Sequence, residues 1–236
     1  MSNVSPAAPD AAAPRAARAP RLAKWFVLSA LLLAGAALLG TGIGLQGADG
    51  TIARLDADIN AWMHALRTPH ATVRALDLTA LGSSTLVTLL TLVCGALFAL
   101  LRDWRAVAHL VVASIGAGLW SRGLKHLFGR ARPDEAIRLA EASGFSYPSG
   151  HALLSTALYL TFAVLACRVF RTVHERTVIF AMAAAVIGLI GATRIYLGVH
   201  YASDVLGGTA VGAAWACLLA GLIGYPRACD DPGAPR

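Results

Sequence analysis

The chain has 236 residues, 57% of them hydrophobic and only 14% charged, with a mean hydropathy of +0.63 and a formal net charge of +7. Soluble domains carry about 25% charged residues, so the composition excludes an ordinary soluble domain and points to an integral membrane protein. The basic residues lie between apolar segments rather than on one helix face. That argues against nucleic-acid binding and for topology control by flanking Lys and Arg.

Residues 1–20 are rich in Ala and Pro, lack apolar periodicity and are predicted to be a disordered tail. Arg21 and Lys24 then lead into an apolar run from Trp25 to about Leu45. A signal peptide would have an apolar region of only about 7–15 residues and a small-residue cleavage site, so this run is read as the first membrane span. Between residues 46 and 75, Ile52, Leu55, Ile59, Trp62 and Met63 recur at roughly helical spacing among charged residues. The pattern predicts a short amphipathic helix on the membrane surface, on its own no more than a connector.

Further spans are predicted at about 77–101, 106–124, 150–167, 178–193 and 203–225. Arg102-Asp103-Trp104-Arg105 is a tight polar connection with an interfacial tryptophan. No repeat divides the chain, so the expected architecture is all-α: one six-helix membrane domain over 21–225, with a short tail at 226–236. Cys94, Cys167, Cys217 and Cys229 show no CxxC or Cys/His metal spacing and read as small apolar residues.

Three polar clusters interrupt the apolar sequence. The first runs from Lys125 to Arg132-Pro133, the second is Pro148-Ser149-Gly150-His151, and the third is Thr193-Arg194 followed by His200 and Asp204. Each sits at the end of an apolar segment, which puts all three at a membrane surface. Lys125, Arg132 and Arg194 are costly together unless an anion neutralises them, and a tetrahedral oxyanion such as phosphate suits them. Ser149 and Gly150 stand where a helix begins and where unpaired N–H groups attract anions. His151 opens that helix with an ionisable group. His200 and Asp204 are four residues apart and share a helix face, so the carboxylate either fixes the imidazole tautomer or serves only as a helix cap. His64, His70, His109, His126 and His174 lack such companions and read as structural or interfacial.

These clusters resemble the type 2 phosphatidic acid phosphatase superfamily of lipid phosphate phosphatases, whose site is related to that of vanadium haloperoxidases. The family pattern is Lys, six residues, Arg-Pro; Pro-Ser-Gly-His; and Ser-Arg, five residues, His, three residues, Asp. Lys125, Arg132 and Pro133, then Pro148 to His151, then Arg194, His200 and Asp204 fit it, with Thr193 in place of Ser. The resemblance implies that His200 is the nucleophile, forming a phosphohistidine, and that Asp204 orients it. It implies that His151 protonates the leaving oxygen and then activates water. Lys125, Arg132, Ser149, Gly150 and Arg194 would hold phosphate oxygens, with no metal or other cofactor. The substrates it implies are membrane lipid phosphates: undecaprenyl pyrophosphate, phosphatidylglycerol phosphate or phosphatidic acid. Arg122, Arg130 and Arg138 lie close enough in sequence to help neutralise a diphosphate. The alternatives are phosphotransfer to an acceptor through the same intermediate, and a lipid transporter or scaffold that keeps the fold without turnover.

For orientation, the amino terminus, the loops at 102–105 and 168–176 and the carboxyl tail carry 11 Lys and Arg, and the opposite side carries 9. Setting Lys125, Arg132 and Arg194 aside as site residues leaves 6 on that opposite side. The positive-inside rule then puts both termini in the cytoplasm of a bacterial inner membrane and the site on the outer face. Oligomeric state is not legible in the sequence.

Overall fold

The computed structural model describes residues 19–47 and 49–223, and no strand occurs among them. The expected tails at 1–20 and 226–236 lie outside the described residues, apart from the first residues of a helix that begins at Ala19. The helices are α1 (Ala19–Gln46), α2 (Thr51–Ala65), α3 (Pro69–Thr79), α4 (Ser84–Leu100), α5 (Trp104–Phe128), α6 (Gly150–Ala166), α7 (Val173–Tyr196) and α8 (Ala202–Ile223).

Local chemistry sets most of the boundaries. Thr68 caps α3 through the Ala71 N–H, and Pro69 follows with a ring preset for the first helical turn. Ser83 caps α4 through Leu86, and Asp103 caps α5 through Ala106. Gly129, at φ 58°, ends α5 in the left-handed conformation that glycine adopts without a steric penalty. Thr172 and Glu175 form a reciprocal capping box at the start of α7.

α8 is the centre of the bundle and packs chiefly on α1 and α6, while α6 lies between α5, α7 and α8. Half of the apolar window of α8 is buried inside the protein, against 17% for α1, so α1 is a peripheral helix with most of its apolar surface exposed. Close approach of α8 to α6 depends on small residues. A Cβ at Gly208 would lie 2.5 Å from the Ser149 carbonyl oxygen, and one at Gly212 2.5 Å from that of Leu153. This is the small-residue contact by which membrane helices gain van der Waals packing.

Among the described residues, four single helices, α1, α5, α7 and α8, are long and apolar enough to cross a membrane, or five spans if the bent pair α3–α4 is one. The protein is therefore a multi-pass membrane protein. The span expected at 77–101 is not one straight helix: a 3₁₀ turn at Ala80–Gly82 bends it by 47°. Ser83 supplies the reason, because its hydroxyl starts a new helix instead of continuing the old one. α6 has 17 residues, shorter than the other apolar spans.

The helix predicted over the 46–75 stretch exists as α2, but its orientation is informative. Leu55 and Trp62 are 56% and 60% exposed, whereas Asp56 and Asn60 are buried. Of the apolar pattern, Ile52, Ile59 and Met63 are half-buried and only Leu55 and Trp62 face outward, while two polar residues, Asp56 and Asn60, face in and Arg54 and Asp58 stay exposed. Cys94, Cys167 and Cys217 are unbridged and at least partly buried, as expected; Cys229 is outside the described residues.

The α6–α8 contact makes a stability prediction. Gly212→Ala forces a methyl group against α6 backbone and should cost about 1–3 kcal/mol. Gly188→Ala, where a Cβ meets nothing within 4 Å, should be neutral or slightly stabilising. Thermal unfolding of the two variants in detergent checks this, with a lowered midpoint for Gly212→Ala alone.

Candidate active site

His200 lies in the short turn between α7 and α8, almost completely buried. On one side its Nδ1 faces Asp204 Oδ2 at 3.3 Å and Ser146 Oγ at 3.4 Å. On the other, its Nε2 is 3.1 Å from Arg132 Nη1. A guanidinium can only donate, so Nε2 presents its lone pair and Nδ1 carries the proton. The imidazole is thereby held in the tautomer whose outer nitrogen can attack an electrophile. Burial pushes the His200 pKa down to about 4, although Asp204 pulls it up and Arg132 and Arg194 push it further down. The ring is therefore neutral at physiological pH.

Asp204 sits in the first turn of α8 with no exposed surface. It is not a simple cap. Its Oδ2 accepts from Ser146 Oγ at 2.5 Å and from the Tyr201 N–H at 2.9 Å, and its Oδ1 accepts from Arg130 Nη1 at 2.7 Å. The Asp204 carbonyl accepts from the Ser149 N–H at 2.9 Å, which pins the start of α6 against the start of α8.

Arg132 is held in its loop by carbonyls of Gly144, Ser143 and Val199 at 2.9–3.0 Å, with Nη1 left across His200 Nε2. Lys125, at the end of α5, donates to the Phe145 carbonyl and lies within electrostatic reach of Arg132, Asp204 and Arg194. Arg194 is 5% exposed; its Nη1 donates to Thr79 Oγ1 at 2.9 Å, and its Nε has no partner. The Ser149 hydroxyl is fully buried and also unpartnered, and it makes no cap bond to its own helix. Unmade donors of this kind are rare in folded proteins and call for a ligand or ordered water. Gly150 opens α6, beside the first-turn N–H groups that have no intrahelical acceptor. His151, partly buried, lies in the field of Arg194, His200, Arg132 and Lys125. The three sequence clusters thus converge on one locality.

Four cations (Lys125, Arg130, Arg132 and Arg194) face two carboxylates (Asp56 and Asp204) here, which leaves two positive charges uncompensated. A phosphate monoester dianion carries the complementary charge. Among the described residues, no three His, Cys, Asp or Glu side chains gather as a metal site.

Several residues at this site were not legible as such. Ser146 and Thr79 are lone hydroxyls with no motif around them. Ser203 and Asp56 bond one another across 147 residues of chain. Arg130 stands out in sequence only as a spare charge for a diphosphate, and the structure gives it other work, in ion pairs with Asp56 and Asp204. Arg138 donates Nε and Nη2 to the Pro133 carbonyl, and Arg122 is exposed on α5.

Comparison with known proteins identifies the family. The PAP2 superfamily pattern matches residues 106–227, more than half of the chain and all three clusters. The chain belongs to the PAP2 superfamily. It is 33% identical over 150 residues to phosphatidylglycerophosphatase B of Bacillus subtilis, covering 62% of this chain and 72% of that protein. It is 35% identical over 125 residues to lipid A 1-phosphatase of Rhizobium johnstonii, 49% of this chain and 47% of the relative. The chain therefore spans about half the length of that relative. Among solved structures, the transmembrane PAP2-type phosphatidylglycerolphosphate phosphatase from Bacillus subtilis superposes with a TM-score of 0.70 at 27% identity. That match covers 87% of this chain and 98% of that one. Aquifex aeolicus LpxE shares the fold with a TM-score of 0.55 at 22% identity, covering 70% of this chain and 93% of its own.

Burial of neutral His200 has a consequence for stability. The unfolded chain binds this proton near pH 6.5 and the folded chain only near pH 4, so between those values the unfolded state holds more protons. Stability from this group is full above about pH 6.5 and falls as pH drops toward 4. His200→Gln should flatten the acid-side decline of the unfolding midpoint relative to wild type, as measured by thermal unfolding in detergent from pH 7 to 4.5.

Proposed function

We propose that the protein is a metal-independent membrane lipid phosphatase acting through a phosphohistidine at His200. The observation that carries this reading is a buried imidazole whose Nε2 lone pair faces Arg132, in the same locality as the unmade donors of Ser149 and Arg194. Nε2 attacks phosphorus in line with the leaving lipid oxygen. The Nδ1 proton remains directed at Asp204, which stabilises the imidazolium that forms. Arg132, now donating to the Nε2 lone pair, redirects that hydrogen bond to a phosphoryl oxygen as the lone pair is used. Ser149 Oγ, Arg194 Nε, Lys125 and the N-terminal N–H groups of α6 take the remaining oxygens and stabilise the transition state. With the phosphate dianion bound, His151 as the imidazolium donates its proton to the leaving alkoxide and, now the neutral base, takes one from the water that releases phosphate.

A monophosphate fits these groups better than a diphosphate. Arg130 is committed to two carboxylates, and Arg138 turns its Nε and Nη2 to the Pro133 carbonyl, so a second phosphate would have to compete with Asp56 and Asp204 for Arg130. The named relatives act, by their names, on phosphatidylglycerophosphate and lipid A. A phosphatidylglycerol phosphate or phosphatidic acid headgroup is the substrate class we infer here. Arg130 and Tyr201 also line a cavity of about 410 Å³ with Gly40, Gly44, Phe128 and Tyr147, and we assign it to the non-reacting part of the lipid. With the bent α3–α4 pair as one span and α6 as another, the membrane domain has six spans. The Lys and Arg distribution supports cytoplasmic termini and an outward-facing site.

Phosphate release in detergent from phosphatidylglycerol phosphate, phosphatidic acid and undecaprenyl pyrophosphate, with EDTA present, tests the proposal. Wild type should release phosphate from the monoesters faster than from the diphosphate, and His200→Ala should lose at least about 10³-fold in kcat. Equal rates for wild type and His200→Ala would remove the nucleophile assignment, and faster release from the diphosphate would remove the substrate class.

A further inference from the structure

Asp56 is 2% exposed, on the inward stripe of a helix that the sequence marks only as a connector. Its Oδ1 accepts the Ser203 N–H at 2.9 Å, in the first turn of α8. Its Oδ2 accepts the Ser203 hydroxyl proton and Arg130 Nη2, the latter at 2.8 Å. Asp56 is therefore a cap for α8 supplied from a distant part of the chain, at the helix end where negative charge is favoured.

Arg130 makes the connection to the reacting groups. Its Nη2 is on Asp56, and its Nη1 lies 2.7 Å from both Asp204 Oδ1 and Ser203 Oγ. The Tyr201 ring packs over the guanidinium, 4.2 Å from Cζ to the centroid. A planar fork held at both prongs and on one face has little freedom to turn. Asp204 Oδ1 is fixed by this fork, so Oδ2 is the oxygen left to meet His200 Nδ1, Ser146 Oγ and the Tyr201 N–H.

We propose that Asp56 and Arg130 are a positioning pair that sets the rotation of the Asp204 carboxylate and, through it, the Nδ1-protonated tautomer of His200. α2 is then part of the apparatus that prepares the nucleophile, and Arg130 is withdrawn from phosphate binding. The proposal rests on His200 being the nucleophile. The groups around that imidazole come from four segments: Asp204 from α8, Arg132 and Ser146 from the loop after α5, Arg194 from α7 and His151 from α6. Only Asp204 and Ser146 address Nδ1, and Arg130 holds Asp204.

The test uses the full chain in detergent micelles, labelled with ¹⁵N-histidine, together with turnover of dioctanoyl phosphatidic acid. The His200 signals are assigned by their loss in His200→Gln, and wild type should show the Nδ1-protonated tautomer. Arg130→Lys keeps the charge but cannot fork to two carboxylates. It should give a mixture of tautomers and a kcat lower by about 10- to 100-fold, with KM within about threefold. Asp56→Glu, which keeps the carboxylate and displaces it by one methylene, should change the spectrum in the same direction and serves if Arg130→Lys does not fold. An unchanged His200 tautomer in the folded variants overturns the proposal, whatever kcat does. A wild-type protein that turns over no lipid phosphate would remove the phosphatase reading, and the spectra would still decide the positioning role.

Discussion

A carboxylate buried without any exposed surface at the head of a membrane helix must have each lone pair answered, and Asp204 does. Arg130, Ser146, Tyr201 and His200 all converge on it, and its own carbonyl holds the start of α6 through Ser149. Removing one partner from such a group leaves a buried charge exposed to desolvation, which typically costs several kcal/mol. That requirement makes the arrangement specific. The loop between α5 and α6 and the turn between α7 and α8 satisfy Asp204 directly, and α2 joins them through Asp56, which holds Arg130 and Ser203, so their relative positions are fixed together. The proposed phosphate site follows from this, because Arg132, Ser149 and His200 are carried on those same segments.

The orientation of α2 follows from the same constraint. A helix lying against a bilayer normally puts its apolar stripe on lipid and its polar stripe in water. Here Leu55 and Trp62 are outside while Asp56 and Asn60 are covered by protein. Asp56 is covered because it caps the head of α8, while Arg54 and Asp58 on the same helix stay exposed and Ile52, Ile59 and Met63 are half-buried. Glycines on α8 make the complementary allowance at the other side of the site, letting α6 approach closely enough for its first turn to bond Asp204.

Much of this is legible in the sequence and some is not, for identifiable reasons. Lys125, Arg132, Ser149, His151, Arg194, His200 and Asp204 sit at the ends of apolar segments, and a charge there has few bland explanations. Periodicity and length reveal α1, α5, α7 and α8 within a few residues at each end. The bend before Ser83 escapes that reading because apolar run length reports burial in lipid and not continuity of the helix axis. Asp56 escapes it for another reason. On an amphipathic stretch a lone aspartate is indistinguishable from a solvated one, and only the fold brings it to Ser203 and Arg130. Arg130 is visible as a charge, but its partners are not local, so sequence offers it to the substrate when the structure gives it to the protein.

The account stands on His200 Nε2 becoming covalently bonded to phosphorus. The direct measurement is a rapid quench of the wild-type protein with ³²P-labelled phosphatidic acid, followed by peptide mapping. The account predicts a transient, acid-labile and base-stable phosphoryl label on the peptide containing His200, formed faster than the steady-state rate and absent in His200→Ala. A label on another residue, or turnover without any label at quench times shorter than one catalytic cycle, would contradict it.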